Sequence, residues 1–480
     1  MMQEQDYKFN NRNIWMICLS VACGHFLFGY DWVVIGGAKP FYESFFAITS
    51  PSLQGWAMSS ALIGCVFGAI ASGQLSDHYG RKRPLILSAV LFVISAWGTA
   101  VSNDFTWFMV ARIVGGVGIG LAMGLAPLFV SEIAPTARRG RLITITALMG
   151  VSGILTAQLV NMMIAEPVVA GATNDVIAQT WNGQSGWRYM FGAELVPAIA
   201  FFVSILFVPE SPRWLAKMGR DQEALATLKK IGNEAYAKAT LQEIKQSINS
   251  NEKSLPMKAL LRPDIRPTVM IGITLAVFQQ WCGINVIFNY AQDIFASAGF
   301  DINDTLKSIV ATGLVNLLFT IIALNFVERI GRRRLMLIGS IGLAVIYTLM
   351  AGAYFVGVQG FPLLILVLIA IAIYSLTLAP MTWVLLSEIF PTKVRGSAMS
   401  VATFFLWVAC FLLTYTFPII NSVLGAAGSF FIYAVICALG FVYILKNVPE
   451  TKGISLEILE ESLRKRALEK SNVNFKESQV

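Results

Sequence analysis

Apolar stretches of about 20 residues, long enough for a helix to cross a bilayer, recur along the whole chain. They fall near 14–35, 53–76, 84–102, 107–131, 142–165, 188–208, 268–296, 308–327, 335–357, 361–387, 397–420 and 424–446. These twelve runs, separated mostly by short polar loops, predict an all-α polytopic membrane protein. Only helices and closed barrels satisfy every backbone hydrogen bond in lipid, and runs of this length are helical ones. Residues 209–267 form the one long polar stretch between them. Within it Leu225, Leu228 and Ile231, then Leu241, Ile244 and Ile248, recur at helical spacing, which predicts short amphipathic helices on the cytoplasmic side. The tail after Glu450 mixes charges of both signs and is expected to fray or to pack against that same face.

The polar loops repeat. "SEIAPTARRG" at 131–140 returns as "SEIFPTKVRG" at 387–396, with seven of ten positions identical at an offset of 256. "DHYGRK" at 77–82 is echoed by "ERIGRR" at 328–333, and "VPESP" at 208–212 by "VPETK" at 448–452. Three echoes in the same order describe a duplication. The chain therefore reads as two six-helix halves of like orientation at 1–208 and 268–446, a linker at 209–267 and a tail at 447–480. Parallel repeats of this kind place a substrate site between the halves near the bilayer midplane.

Composition agrees with that reading and fixes the topology. The chain is 56% hydrophobic and 13% charged, where soluble domains carry about 25% charged residues. Its net charge of +8 comes largely from alternate short loops, "DHYGRKRP", "PTARRGR", "ERIGRRR" and "PTKVRG", while "SND" at 102–104 and "GVQGF" at 357–361 hold no Lys or Arg. Under the positive-inside rule the basic loops and both termini are cytoplasmic. The charge thus reports orientation in a lipid bilayer and is no sign of nucleic-acid binding. Six cysteines all lie in apolar spans without disulfide or metal-ligand spacing, and read as small buried hydrophobes. The first run is too long for a signal peptide and has no small-residue cleavage site after it, so it counts as span one.

Against this apolar background a few side chains stand out. Asp31, in "FGYDWVVIG", would cost about 2.5–3.5 kcal/mol at membrane depth without a partner. With the termini inside, Asp31 and Arg112 each lie about five residues below the outer ends of spans one and four, hence at similar depth. Either the two form a static ion pair, or the carboxylate is a protonatable switch, since Arg keeps its charge. His25, six residues before Asp31, reads as a packed neutral histidine more readily than as a proton relay. Gln279, Gln280 and Asn285 in "QQWCGIN" are uncharged amides suited to the hydroxyls of a neutral polyol. Gly116, Gly120 and Gly124 recur every four residues inside an apolar helix, which predicts close helix packing and no phosphate loop.

The ordered set "FGYD", "DHYGRK", "PESPRW", "QQWCGIN", "ERIGRR", "SEIFPTKVRG" and "VPETKG", over residues 26–453, resembles the sugar porter family of the major facilitator superfamily. Within it the chain is most similar to bacterial xylose and arabinose proton symporters. The resemblance implies a proton-coupled importer of a neutral pentose or hexose such as xylose, arabinose, glucose or galactose, working by alternating access in a bacterial inner membrane. It implies no enzyme, no cofactor and no metal, and the chain is expected to be monomeric. Proton-coupled members carry Asp at the Asp31 position and facilitative carriers Asn; similar symporters also carry a carboxylate at Glu194. Gln158, Asn316 and Trp383 match sugar-site positions, with Phe28 and Trp407 as aromatic neighbours. Arg81, Glu132, Arg139, Glu210 and Arg213, with Arg332, Glu388 and Arg395 in the second half, match cytoplasmic gate networks expected to tie the halves together when the site faces outward. The chain departs from the family pattern at Leu406 and Cys410 in span eleven, at Asn289 where an aromatic pair is usual, and at Ala379 before the span-ten proline. A facilitative uniporter of the same fold, and a sensor that binds sugar without moving it, stand as alternatives.

Overall fold

The structure, a computed structural model, describes residues 7–250, 257–391, 393–454 and 458–465. Linker residues 251–256 and tail residues 466–480, for which amphipathic helix and frayed or docked chain are expected, lie outside the described residues. Among the described residues eleven helices are long and apolar enough to cross a membrane. The longest, Arg395–Asn447, is two spans joined across Gly425, whose φ of 66° and ψ of −178° interrupt the helix. The twelve predicted spans are therefore present. Spans one to six are Asn11–Phe45, Pro51–Tyr79, Lys82–Ala100, Phe105–Ile133, Arg139–Ile164 and Asn182–Phe207. Spans seven to ten are Arg266–Asn289, Ile302–Ile330, Arg332–Val356 and Phe361–Ile389. Spans eleven and twelve share Arg395–Asn447.

Helix starts follow local chemistry. Asn10, Asp104 and Asp301 accept the backbone N–H of Asn13, Trp107 and Asp304, satisfying donors that the first turns of spans one, four and eight leave open. Breaks follow local chemistry too. Proline lacks the N–H that would bond four residues back. Pro197 accordingly coincides with the interruption between Trp187–Gly192 and Leu195–Phe207, and Pro380 with the one at Thr377 in span ten. Span seven breaks at Gly283, whose φ of 87° suits a residue without Cβ.

By packing, the chain divides into two compact units. The first holds the chain to Ala47, then Ser60–Glu166 and Thr173 onward through the linker helices; the second holds Ile48–Ser59, Pro167–Ala172 and the chain beyond the linker. In the first unit, glycines let backbones touch. A Cβ on Gly29 would lie 1.8 Å from the Gly150 carbonyl oxygen, and one on Gly153 2.0 Å from that of Phe26, locking span one to span five. Spans two and four interlock in the same way: a Cβ on Gly116 would lie 1.8 Å from Ala61 O, and one on Gly64 2.0 Å from Ile113 O. The linker helices Pro212–Lys217, Asp221–Ile231 and Glu234–Ser250 bury Trp214, Leu215 and Ala224 among themselves, with Leu241 against them. In the second unit, Gly440 of span twelve faces the Phe278 ring of span seven, and Gly272 of span seven faces Phe390. The short tail helix from residue 458 to 465 buries Leu459 and Leu463, and Arg464 Nε lies 3.6 Å from Asp264 Oδ2.

Candidate functional site

In the first unit Asp31 and Arg112 meet. Arg112 Nη1 donates to Asp31 Oδ1, and Nη2 lies 3.4 Å from the Asp31 carbonyl oxygen. Both side chains are almost wholly buried, at 2% and 3% exposure, so the depth argument from the sequence describes a real contact. The guanidinium also sits 5.7 Å from the centre of the Phe191 ring in span six. Glu194 joins them. It occupies the interruption that Pro197 makes in span six, is 1% exposed, and its carboxylate interacts with both Asp31 and Arg112. Asp31 Oδ2, Arg112 Nε and Glu194 Oε1 are all buried, and the Asp31 and Glu194 carboxyls are close enough to share a hydrogen bond. Two carboxylates share one guanidinium in this buried place, so the three groups carry no net charge together when they hold one proton. His25 is buried on the same helix, with Nδ1 forming no hydrogen bond among the described residues. Gln158 of span five is 2% exposed, and Phe28 packs 5.7 Å from the Trp32 ring.

In the second unit the amides of span seven form a connected row. Asn285 Nδ2 donates to Gln280 Oε1, Gln280 Nε2 to Gln279 Oε1, and Gln279 Nε2 to the Tyr374 hydroxyl of span ten at 2.5 Å. Asn285 Nδ2 also lies 3.7 Å from Cys410 Sγ, so the span-eleven position that departs from the family pattern is beside the row. Asn316 of span eight accepts from Ser375 Oγ at 2.7 Å. Trp407 is 3% exposed and Trp383 is half-buried in the second segment of span ten. Tyr374 and Ser375 escape the sequence reading, although "YS" is a polar pair in an otherwise apolar run ahead of the span-ten break. They anchor two of the expected sugar-binding amides.

The repeated loops build the same device twice. Arg81 grips Glu132 with two bonds, Nε to Oε2 at 2.9 Å and Nη2 to Oε1 at 2.8 Å. Glu210 accepts the backbone N–H of Arg81 at 2.9 Å and of Lys82 at 3.2 Å, a carboxylate at the N-terminus of span three where the helix dipole favours it. In the second half Arg332 Nη2 reaches Glu388 at 3.2 Å, and Glu450 accepts the Arg332 backbone N–H at 3.0 Å. A Cβ on Gly80 would lie 2.2 Å from Glu210 Oε2, and one on Gly331 2.9 Å from Glu450 Oε2, which explains the glycine in both loops. Glu450 is the member that the sequence reading leaves out, although the "VPES"/"VPET" echo contains it. The structure does not add Arg139 to these bonds: it is exposed at the start of span five. Arg213 lies 3.5 Å from Ser247 Oγ, and Arg395 Nε donates to the Phe390 carbonyl at 3.2 Å.

Residues 17–463 match the family described as "Sugar (and other) transporter". The chain is 37% identical over 446 residues to the arabinose-proton symporter of Bacillus subtilis strain 168, covering 93% of this chain and 94% of that one. It is 34% identical over 484 residues to the D-xylose-proton symporter of Escherichia coli strain K12, covering 94% and 96%. Among solved structures it is similar to the inward-open conformation of the xylose transporter XylE from Escherichia coli. That match has a TM-score of 0.81 and 33% identity, over 93% of this chain and 99% of that one.

Proposed function

The chain belongs to the sugar transporter family, and from that premise we propose that it imports a neutral monosaccharide together with a proton by alternating access. It is a transporter and not an enzyme. We place it in a bacterial inner membrane with both termini cytoplasmic, on the distribution of basic loops, and take it to work as a monomer.

The observation that carries proton coupling is the buried trio of Asp31, Arg112 and Glu194, two carboxyls on one guanidinium. A proton arriving at Asp31 weakens its tie to Arg112, with the Glu194 carboxyl beside both. Span one and span four are then free to shift against each other. In the second unit sugar is held by Gln279, Gln280, Asn285 and Asn316, with Trp383 and Trp407 as apolar faces for the ring. The Arg81–Glu132–Glu210 and Arg332–Glu388–Glu450 clusters brace the inner loops of each half, and rearranging them opens the way to the cytoplasm. Arg139, Arg213 and Arg395 belong to the same basic faces.

The test is uptake of labelled xylose, arabinose, glucose and galactose into proteoliposomes, with and without an inward proton gradient, for wild type and Asp31→Asn. Gradient-driven accumulation should vanish in the variant while sugar counterflow survives. Equal downhill flux in both proteins, indifferent to the gradient, would make the protein a uniporter and Asp31 a packing element.

A further inference from the structure

The row of amides in span seven does not stop at Asn285. Asn289 lies four residues further along the same short helix, Ile284–Asn289, and therefore on the same face one turn on. Gln292 follows three residues later at the start of Ala291–Ser297, after the non-helical Tyr290. Asn289 is 4% exposed and Gln292 7%. The two amides differ from those before them in one respect. Asn285, Gln280 and Gln279 bond to one another and to Tyr374, whereas Asn289 Oδ1 and Gln292 Oε1 accept no hydrogen bond among the described residues.

A buried acceptor costs free energy unless something, ordered water or a ligand, supplies the donor. Here the backbone between the two amides is held firmly. Tyr290 donates its hydroxyl to the Thr414 carbonyl at 2.6 Å, and its ring packs 4.7 Å from that of Phe417. The open acceptors are therefore fixed in place beside the amides assigned to the sugar. Asn289 follows three apolar residues, Val286, Ile287 and Phe288, and is the next polar side chain after Asn285. An aromatic ring there offers an apolar wall; an amide carbonyl offers a place for a hydroxyl.

We propose that Asn289, extended by Gln292, accepts a substrate hydroxyl beyond those read by Gln279, Gln280 and Asn285, and so selects a hexose over a pentose. The extra hydroxyl is the one on the exocyclic carbon that a pentopyranose lacks. The inference rests on the sugar-transport reading and narrows its substrate class.

Matched pairs of sugars isolate that group: D-xylose is D-glucose without its hydroxymethyl, and L-arabinose is D-galactose without it. The experiment measures KM for all four in proteoliposomes, with thermal shift by each sugar, for wild type, Asn289→Leu and Asn289→Tyr. Wild type should favour a hexose over its matched pentose. Asn289→Leu should raise the hexose KM by about tenfold, the worth of one neutral hydrogen bond at the upper end, and leave the pentose KM within about twofold. Hexose should stabilise wild type more than the variant, while the sugar-free Tm of the variant should not fall, because an open acceptor has been replaced by an apolar group. A wild-type preference for pentose would overturn the proposal. So would equal KM changes for both members of a pair, or a drop in sugar-free Tm without a change in the hexose-to-pentose ratio. No flux or thermal shift with any sugar would instead overturn the transport reading beneath it.

Discussion

Asp31 and Arg112 stabilise one another only as a pair, and that gives the pair a signature. Removing one partner of a buried ion pair costs about 3–5 kcal/mol, whereas removing both can be close to neutral. Arg112→Leu should therefore lower the Tm of the purified protein sharply, since Asp31 and Glu194 then share a buried place with no cation. Acidifying the medium should shrink that loss, because protonation removes the uncompensated charge. Asp31→Asn with Arg112→Leu should recover part of the lost Tm, since Glu194 still lacks its cation; additive losses in the double variant would show that the pair is not coupled. How much of this is legible in the sequence differs residue by residue. Asp31 and Arg112 are, because each charge needs a counter-charge inside an apolar helix bundle and the two lie at equal depth. Glu194 is legible as a further carboxylate in an apolar span, but nothing in "MFGAELVPA" says that it joins Asp31 and Arg112. Tyr374 and Ser375 do not stand out, because a hydroxyl in an apolar span is commonplace until its partner is seen.

At the level of whole helices, the apolar runs locate every span, because length and freedom from charge are all that crossing a bilayer requires. Their interruptions are harder to read. Pro197 and Pro380 mark two of them in plain view, yet Pro40 and Pro127 sit within helices that run on unbroken, so proline alone does not say where a span breaks. The break at Gly283 depends on a left-handed backbone that a glycine permits but does not compel. Helix packing is legible in part. The spacing of Gly116, Gly120 and Gly124 points to a close neighbour, and that neighbour is span two, which presents Gly64 and Gly68 in return. The contact can be graded by what an added methyl meets. Gly116→Ala drives a methyl into a backbone carbonyl that cannot rotate away, and should cost about 1–3 kcal/mol or more, read as a lower Tm. Gly124→Ala meets the rotatable Ser72 hydroxyl at 2.9 Å and should cost less; Gly73→Ala meets nothing within 4 Å and should cost nothing measurable. Equal gains for all three would mean that helix propensity, which favours Ala over Gly, and not packing between spans two and four, governs these positions.

Across the whole molecule the three short echoes return as geometry: an arginine at the start of the third span of each half, a glutamate at the end of the fourth, and a second glutamate that accepts the arginine's own backbone N–H. The echoes identify the loops because charged residues at membrane ends are few and ordered. They leave Glu450 unremarked because its role is to accept backbone N–H groups, which no pattern of side chains displays. The two copies are nevertheless unequal. Arg81 and Glu132 are joined by two bonds and are 9% and 4% exposed, while Arg332 and Glu388 share one bond of 3.2 Å at 20% and 22%. A hydrogen bond to a charged group shielded from water is worth about 1.5–3 kcal/mol, whereas pairs open to water contribute about 0–1 kcal/mol. If these clusters govern passage to the cytoplasm, the halves should not contribute equally to it. Glu132→Gln should shift the balance of states by about tenfold or more, and Glu388→Gln by less than about fivefold, since about 1.4 kcal/mol is a factor of ten. The readout is net uptake against sugar counterflow in proteoliposomes: net uptake requires the full cycle, whereas counterflow requires only the sugar-loaded crossing. Glu132→Gln should depress the first far more than Glu388→Gln does. Matching losses would make the second cluster as strong as the first despite its exposure, and a larger loss in Glu388→Gln would move the governing latch to the second half.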